Sequence, residues 1–401
     1  MKFKNVLIFF TLTLPKSGAK IAGFPLYVSL LASLFFFFSG LISLLQRPRA
    51  LLFLILIISI FLVNLIVNVL YILPTNDFYN FHIQTGEFVG YISSLFAFVC
   101  FYGTLKIRNY ENWKSYLVVI FYMLVAYAFI QKTFGDYNVV IPGITANLQD
   151  ALTPNFLQDK NNMIWGIGYL KATSTYQNGN LFGVNLLLIG FTVIANYQIQ
   201  NKNFIFPLSC LVIAVLLTAS ASVYFGLLIA LIYMLFCGGK RLSLMVAFVV
   251  LAVIFVIIMA TDNFVSQMIY ERLINRDLTA AGGRSDKIIE YYNTIKEHPE
   301  LFFYGMLFYK AEFSQIYEIL PISVIQIFGF PLFLGITFFY YSKVALFFKT
   351  PYILPFISYF AASLSDGAYW LPPTATNMCI VLGLCTLWHN KNIGKMQFDF
   401  K

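Results

Sequence analysis

The sequence predicts an all-α, polytopic membrane protein of about 12 transmembrane helices, with two long loops on one side of the bilayer. Three observations predict it. Of the 401 residues, 60% are hydrophobic and 11% charged, and mean hydropathy is +0.78. Soluble domains carry roughly 25% charged residues, so a water-soluble core could not absorb this much apolar surface. Second, the apolar residues come in blocks: 51–73 and 242–261 contain no charge. Each block is about the length that crosses ~30 Å of hydrocarbon as a helix. Inside lipid every backbone polar group needs a partner, so such blocks are helices, whereas a β-barrel would show short alternating segments. The third observation, the distribution of charge, depends on the layout of the spans.

The expected spans are 5–15, 21–45, 51–73, 87–105, 115–131, 180–198, 204–219, 221–237, 242–260, 319–342, 350–365 and 371–388. The first is too short to cross unaided and tilts into the interface or packs on the second. Lys2 and Lys4 precede an apolar run, but no small-x-small cleavage site follows, so a signal peptide is not expected. The apolar run 204–237 is divided at Thr218-Ala219-Ser220-Ala221-Ser222, small and polar residues that suit a tight turn. With the N-terminus inside, the inside segments hold fifteen Lys and Arg against Glu111 and Asp399; the outside segments hold eleven Lys and Arg against fifteen Asp and Glu. That split, +13 inside and −4 outside, agrees with the formal charge of +9 and with the excess of Lys and Arg in cytoplasmic loops. The basic balance therefore reports topology. Its charges are scattered over short loops and form no stripe, which excludes a nucleic-acid partner.

Inside connections are short, whereas outside loops of about 132–179 and 261–318 are long and hold most polar side chains. Binding and catalytic residues concentrate in loops. Without repeats or linkers, residues 1–401 form a single membrane domain. The five cysteines lie in or beside apolar blocks without metal-ligand spacing and are read as core residues.

Two stretches could carry chemistry. The first loop ends Lys171-Ala172-Thr173-Ser174-Thr175-Tyr176-Gln177-Asn178-Gly179-Asn180, a cation followed by hydroxyls and amides where the chain returns to the membrane. These groups could bind sugar hydroxyls or phosphate oxygens; equally, they form a capping turn, with Asn180 as the cap. The second loop contains Glu271-Arg272, Arg276-Asp277 and Gly282-Gly283-Arg284-Ser285-Asp286-Lys287, before an amphipathic stretch 288–298 closed by Pro299. Ser285 is a possible cap for that stretch. Glycines ahead of Arg284 let a guanidinium approach a ligand closely, and its planar fork suits phosphate. The competing reading is a solvated charge run. His298, before Pro299, is first of all a helix-end residue. Asp366 lies at an outside boundary. Metalloprotease, nucleophile-elbow and Walker signatures are absent.

The order of these parts resembles the O-antigen polymerase and O-antigen ligase superfamily. Its members carry an Arg and a Gly-Thr-Phe-x-Asn-Pro-Asn-like stretch entering a helix, then a Thr-x-Ser-Arg-like hairpin. A Ser-Gly-Arg opening a large outside loop follows, then Pro and Gly-x-Gly. Here these parts resemble 171–180, 218–222, Gly282-Gly283-Arg284, and Pro299 with Gly305. Lys171 stands where arginine is usual, Gly179 where proline is usual, Ala221 for the hairpin arginine and Leu307 for the second glycine. The His-Asn pair of ligases is not visible in Ala311-Glu312-Phe313-Ser314-Gln315, which favours polymerase over ligase.

The resemblance implies a GT-C-like fold in the bacterial inner membrane with a site facing the periplasm. It implies polymerisation of O-antigen repeat units: transfer of a growing glycan from undecaprenyl diphosphate to a new lipid-linked unit, without cofactor or metal. Partners would be the undecaprenyl-diphosphate-linked oligosaccharide, the bilayer and a chain-length regulator protein. A cation must stabilise the departing diphosphate. Arg284 is expected there, with Lys171, Arg272 and Arg276, and with Asn178 and Asn180 as further binding groups. Glu312, Asp286 and His298 are the candidates for a base. Alternatives are a ligase, using lipid A core as acceptor, and a lipid-linked oligosaccharide flippase. Transporters place polar sites at the midplane, whereas this chain puts them in outside loops.

Overall fold

The computed structural model describes residues 3–21, 24–72, 85–158, 162–164, 168–237, 284–306, 319–364 and 373–398. The expected span 242–260 lies outside them. The structure is mostly helical, at 78%, and the described residues include two short two-stranded antiparallel sheets. Among the described residues, four helices are long and apolar enough to cross a membrane: Pro48–Leu70, Tyr110–Phe134, Gly179–Ile199 and Phe330–Phe347. Shorter apolar helices, Phe3–Thr13, Val28–Leu44, Ile205–Leu217 and Ala221–Phe236, pack among them. These are the helices of an integral membrane protein.

Helix α1 (Phe3–Thr13) packs on α2 (Val28–Leu44), as expected of a span too short to cross alone. The expected span 21–45 is a correction: its first residues pair as β1 (Gly18–Ile21) with β2 (Phe24–Tyr27), and the helix starts only at Val28. Hydropathy could not separate them, because apolar residues serve a hairpin and a span equally. Helix α3 (Pro48–Val67) begins on a proline, whose missing N–H costs nothing in a first turn, and ends in a π turn, Asn68–Ile72. Span 87–105 divides at Phe96 into α4 (Thr85–Leu95) and α5 (Ala97–Thr104). Helix α5 lies against α2 so closely that a Cβ on Gly40 would stand 2.1 Å from the Val99 carbonyl oxygen. Small residues permit such contacts where apolar burial alone cannot drive helices together.

After α6 (Trp113–Phe134) and a long loop comes α7 (Gly179–Ile199). It is the central helix, touching α6, α8 (Ile205–Leu217), α9 (Ala221–Cys237), α14 (Leu354–Ser363) and α15 (Thr374–Phe398). Its apolar residues cover every face, the pattern of a helix buried all round. Asn185 and Thr192 donate to carbonyls one turn back, and Tyr352 donates to Asn196 at 3.1 Å.

Helix α10 (Arg284–Glu297) begins four residues before the expected stretch 288–298 and leads into α11 (Glu300–Tyr304). Span 319–342 is also corrected. It breaks at Gly329 into α12 (Leu320–Phe328) and α13 (Phe330–Val344). Gly329 has φ 78° and Gly305 φ 70°, and their backbones cross: a Cβ on Gly329 would stand 2.1 Å from the Phe303 carbonyl oxygen. Only glycine satisfies both demands. The helix ends at this crossing leave carbonyls without intrahelical partners. Asn64 and Asn68, one turn apart on α3 and its π turn, donate to the carbonyls of Phe328 (2.6 Å) and Tyr304 (3.1 Å). Two polar residues in an apolar helix are thereby explained. Span 350–365 opens with a 3₁₀ turn, Pro351–Ile353, before α14.

The bundle has two unlike ends. One gathers Lys4, Lys106 and Arg108 around a cavity, with Glu111, Lys114 and Lys391 joined nearby by ion pairs. The other carries the β1–β2 hairpin, the 135–178 loop and the turn after α8. The Gly18 amide donates to Gly143 at 3.0 Å, and the Ala172 amide donates to Leu217 at 2.9 Å.

Candidate functional site

The segment from Tyr169 to Leu181 is the most heavily bonded polar stretch at the loop-bearing end. Its path is unusual: Ser174 and Gln177 have φ of 45° and 60°, the left-handed region that side chains other than glycine rarely adopt. Long-range bonds hold this path. Buried Gln131 of α6 accepts from the Ser174 amide (2.8 Å) and donates to the Ser174 carbonyl (3.1 Å). Thr175 donates to the Thr13 carbonyl and Tyr176 to the Leu12 carbonyl, tying the segment to the end of α1. Asn377 of α15 donates to Asn185 at 2.8 Å and to the Tyr176 hydroxyl at 3.5 Å. Backbone strain of this kind persists only where the surroundings impose it, and it clusters at ligand sites.

The junction with α7 is built on two asparagines. Asn178 is the N-cap: its side-chain oxygen accepts from the amides of Asn180 (2.9 Å) and Leu181 (3.1 Å). This corrects the expectation that Asn180 caps the helix. Asn180 instead accepts from the buried Lys171 ammonium at 3.2 Å. Asn162, fully buried, accepts from the Gly179 amide at 2.9 Å and donates to the Leu157 and Gln177 carbonyls. The amide explains why proline is unsuitable at position 179: it has no N–H to give. A Cβ on Gly179 would also meet the Lys171 Cβ at 2.6 Å.

The turn between α8 and α9 closes against this junction. Tyr169 donates to the Leu217 carbonyl at 2.7 Å, and the Thr218 carbonyl lies 3.3 Å from where a Gly179 Cβ would be. The break falls where the small polar residues predict it, with Ala219 in the left-handed region (φ 47°). Ser220 and Ser222 share a hydrogen bond of 2.9 Å. The fold thus brings together an ammonium, two carboxamides and a hydroxyl-rich turn. These groups can donate to phosphate or sugar oxygens.

Sequence reasoning missed a charged pair beside them. Lys132, at the end of α6, bonds Asp136 at 2.8 Å, donates to the Leu170 carbonyl and lies 4.4 Å from the Tyr169 ring centroid. Burial raises the Asp136 carboxyl above its usual range, partly offset by Lys132, and its Oδ1 has no hydrogen-bond partner among the described residues. Burial also raises the Tyr169 hydroxyl, so it acts as a neutral donor. The available signal was a Lys and an Asp four apart, flanking a helix-ending glycine.

Three other expected site residues, Arg284, Asp286 and His298, lie on α10 or just after it. Helix α10 packs on α11, and its Tyr291 shares a second hydrophobic cluster with Leu301, Met306 and Ile325. Ala172, Tyr176 and Leu181 belong to the main cluster. Arg284 is the first residue of α10 and Asp286 the third; only their backbones are described, and with Ser285 inside the helix the expected cap is displaced. His298 follows the last turn, half-exposed, its Nδ1 3.3 Å from Glu300 Oε1. Arg272, Arg276, Glu312 and Asp366 lie outside the described residues. Cys100, Cys379 and Cys385 are buried and free, and the described residues contain no metal-holding group of His, Cys, Asp and Glu. Comparison with protein-family models, with curated proteins and with solved structures finds no match.

Proposed function

We propose that this chain is an O-antigen polymerase: a glycosyltransferase of about 12 spans in the bacterial inner membrane, acting at its periplasmic face. One observation carries the reading. The stretches 171–180 and 218–222, two of the motifs on which the resemblance rests, lie side by side at the loop-bearing end: the Ala172 amide donates to Leu217, the residue before the turn, and a Cβ on Gly179 would stand 3.3 Å from the Thr218 carbonyl oxygen. In the proposed reaction an acceptor hydroxyl oxygen of the new lipid-linked repeat attacks the anomeric carbon of the growing glycan. The anomeric C–O bond to undecaprenyl diphosphate breaks, and the diphosphate leaves with the bonding electrons. The hydroxyl proton passes to a base, for which Glu312, Asp286 and His298 remain the proposals. Lys171 and the amides of Asn178 and Asn180 bind diphosphate or sugar oxygens. Arg284, aided by Arg272 and Arg276, neutralises the leaving group where charge develops.

The test is the lipopolysaccharide ladder of a deletion strain. Loss of long chains with one core-linked repeat retained is the expected result. Loss of every core-linked repeat would identify a ligase or flippase and overturn the reading. Within the enzyme, Arg284→Lys should slow elongation nearly as much as Arg284→Ala, by ~100- to 1000-fold, because an ammonium cannot copy a bidentate fork.

A further inference from the structure

The opposite end of the bundle holds a cavity of about 660 Å³ that the proposed reaction does not use. It is lined by Phe3, Lys4, Asn5, Phe35, Lys106 and Arg108, together with Ile107 and Asn109. Among the described residues, three cations face it and no carboxylate does. Among the described residues neither Lys106 nor Arg108 has an ion pair; the nearby carboxylate, Glu111, bonds Lys114 at 3.1 Å and Lys391 at 3.3 Å. Lys4 spends one donor on Ser39, at 3.0 Å, and Lys106 lies close enough to repel its ammonium. The Asn5 oxygen is taken by the Trp113 indole at 3.3 Å, which leaves its NH₂ to donate. Three like charges gathered on one concave surface are an incomplete electrostatic arrangement, and an anion completes it.

The wall on the other side is apolar. Phe3 meets Phe35 edge to face at 5.4 Å, and Lys4 lies 5.8 Å from the Phe35 ring centroid. From there α2 continues with Leu31, Leu34, Phe38 and Ile42, all exposed and recurring at helical spacing on the outside of the bundle. A ligand satisfying both surfaces has an anionic head and a hydrocarbon tail. We propose that this cavity binds the phosphate headgroup of an anionic phospholipid, with its acyl chain lying along the exposed strip of α2. Basic pockets between membrane helices bind such headgroups through the same chemistry.

The full chain, purified in neutral detergent, would be titrated with phosphatidylglycerol, phosphatidylcholine and inorganic phosphate. Thermal midpoints and lipid adducts in native mass spectra would be read. Phosphatidylglycerol should bind saturably and raise the midpoint; the other two should do neither at matched concentration. Each cation removed should weaken binding about fivefold, the equivalent of ~1 kcal/mol, so Lys106→Gln with Arg108→Gln should weaken it about 25-fold. Arg108→Gln alone, at an exposed position, should show the single step and serves if the double variant folds poorly. Unchanged affinity in these variants, or no phosphatidylglycerol binding, would overturn the proposal. Inorganic phosphate binding as tightly and displacing phosphatidylglycerol would assign the cavity to a soluble anion and overturn the lipid assignment.

Discussion

The two ends of the bundle use their polar residues in opposite ways. At the loop-bearing end, Gln131, Asn162 and Tyr169 are bonded to backbone groups far along the sequence, while Asn178 caps its own helix and Lys171 donates to Asn180. At the basic end, Lys106 and Arg108 have no such anchors among the described residues, and Arg47 and Lys343 lie over the faces of Tyr102 and Phe101. The first arrangement fixes donors in advance, which is what recognition of a reacting group requires. The second leaves charge available to the membrane surface. The same residue types therefore serve geometry at one end and electrostatic attraction at the other.

That contrast breaks most visibly at Lys132. Lys132→Met leaves Asp136 as an uncompensated buried carboxylate, and breaking a buried pair in this way costs about 3–5 kcal/mol. Thermal or denaturant unfolding in micelles should register the loss. Gly179→Ala comes next: its Cβ meets the Lys171 Cβ, and overpacking of this kind costs typically ~1–3 kcal/mol. The displaced Lys171 should also weaken substrate binding, separating this variant from a purely structural one. Asn178→Ala removes the cap of the central helix and should cost about 1 kcal/mol, read as a lower midpoint.

A smaller difference is specific to pH. The folded Asp136 carboxyl titrates above its usual value of 3.8, so the folded state holds that proton more tightly than the unfolded state does. Its contribution is fully present below 3.8 and declines as pH rises through the folded value. The stability of the wild type relative to Asp136→Asn should therefore fall with rising pH in that window and level off above it. Lys202→Gln, an exposed change in a short connection, should stay within about 0.5 kcal/mol.

What could be read in the sequence follows the same division. Blocks such as 51–73, 115–131, 180–198 and 204–219 correspond to helices because burial in lipid or protein demands apolar residues whatever the partner. The hairpin at 18–27 and the break at Gly329 were hidden, since hydropathy is blind to the path of the backbone. Gly305 is visible in the sequence as a motif residue, yet its role depends on a crossing with Gly329 that one-dimensional spacing does not encode. At the junction, Lys171, Asn178, Asn180 and the 218–222 turn stood out as polar residues at a membrane boundary. Their supports did not. Lys132 reaches a carbonyl 38 residues away, and Gln131 bonds one 43 residues away.

The central claim is that the Lys171 junction, and not the basic end, takes part in glycan transfer. Elongation of lipid-linked repeats by purified Lys171→Gln and Lys202→Gln variants, normalised to folded protein, tests it most directly. Both remove one positive charge from the chain. The account predicts elongation ~100- to 1000-fold slower for Lys171→Gln, the loss expected when a preorganised charge-stabilising donor disappears, and unchanged for Lys202→Gln. Wild-type elongation by Lys171→Gln would contradict it.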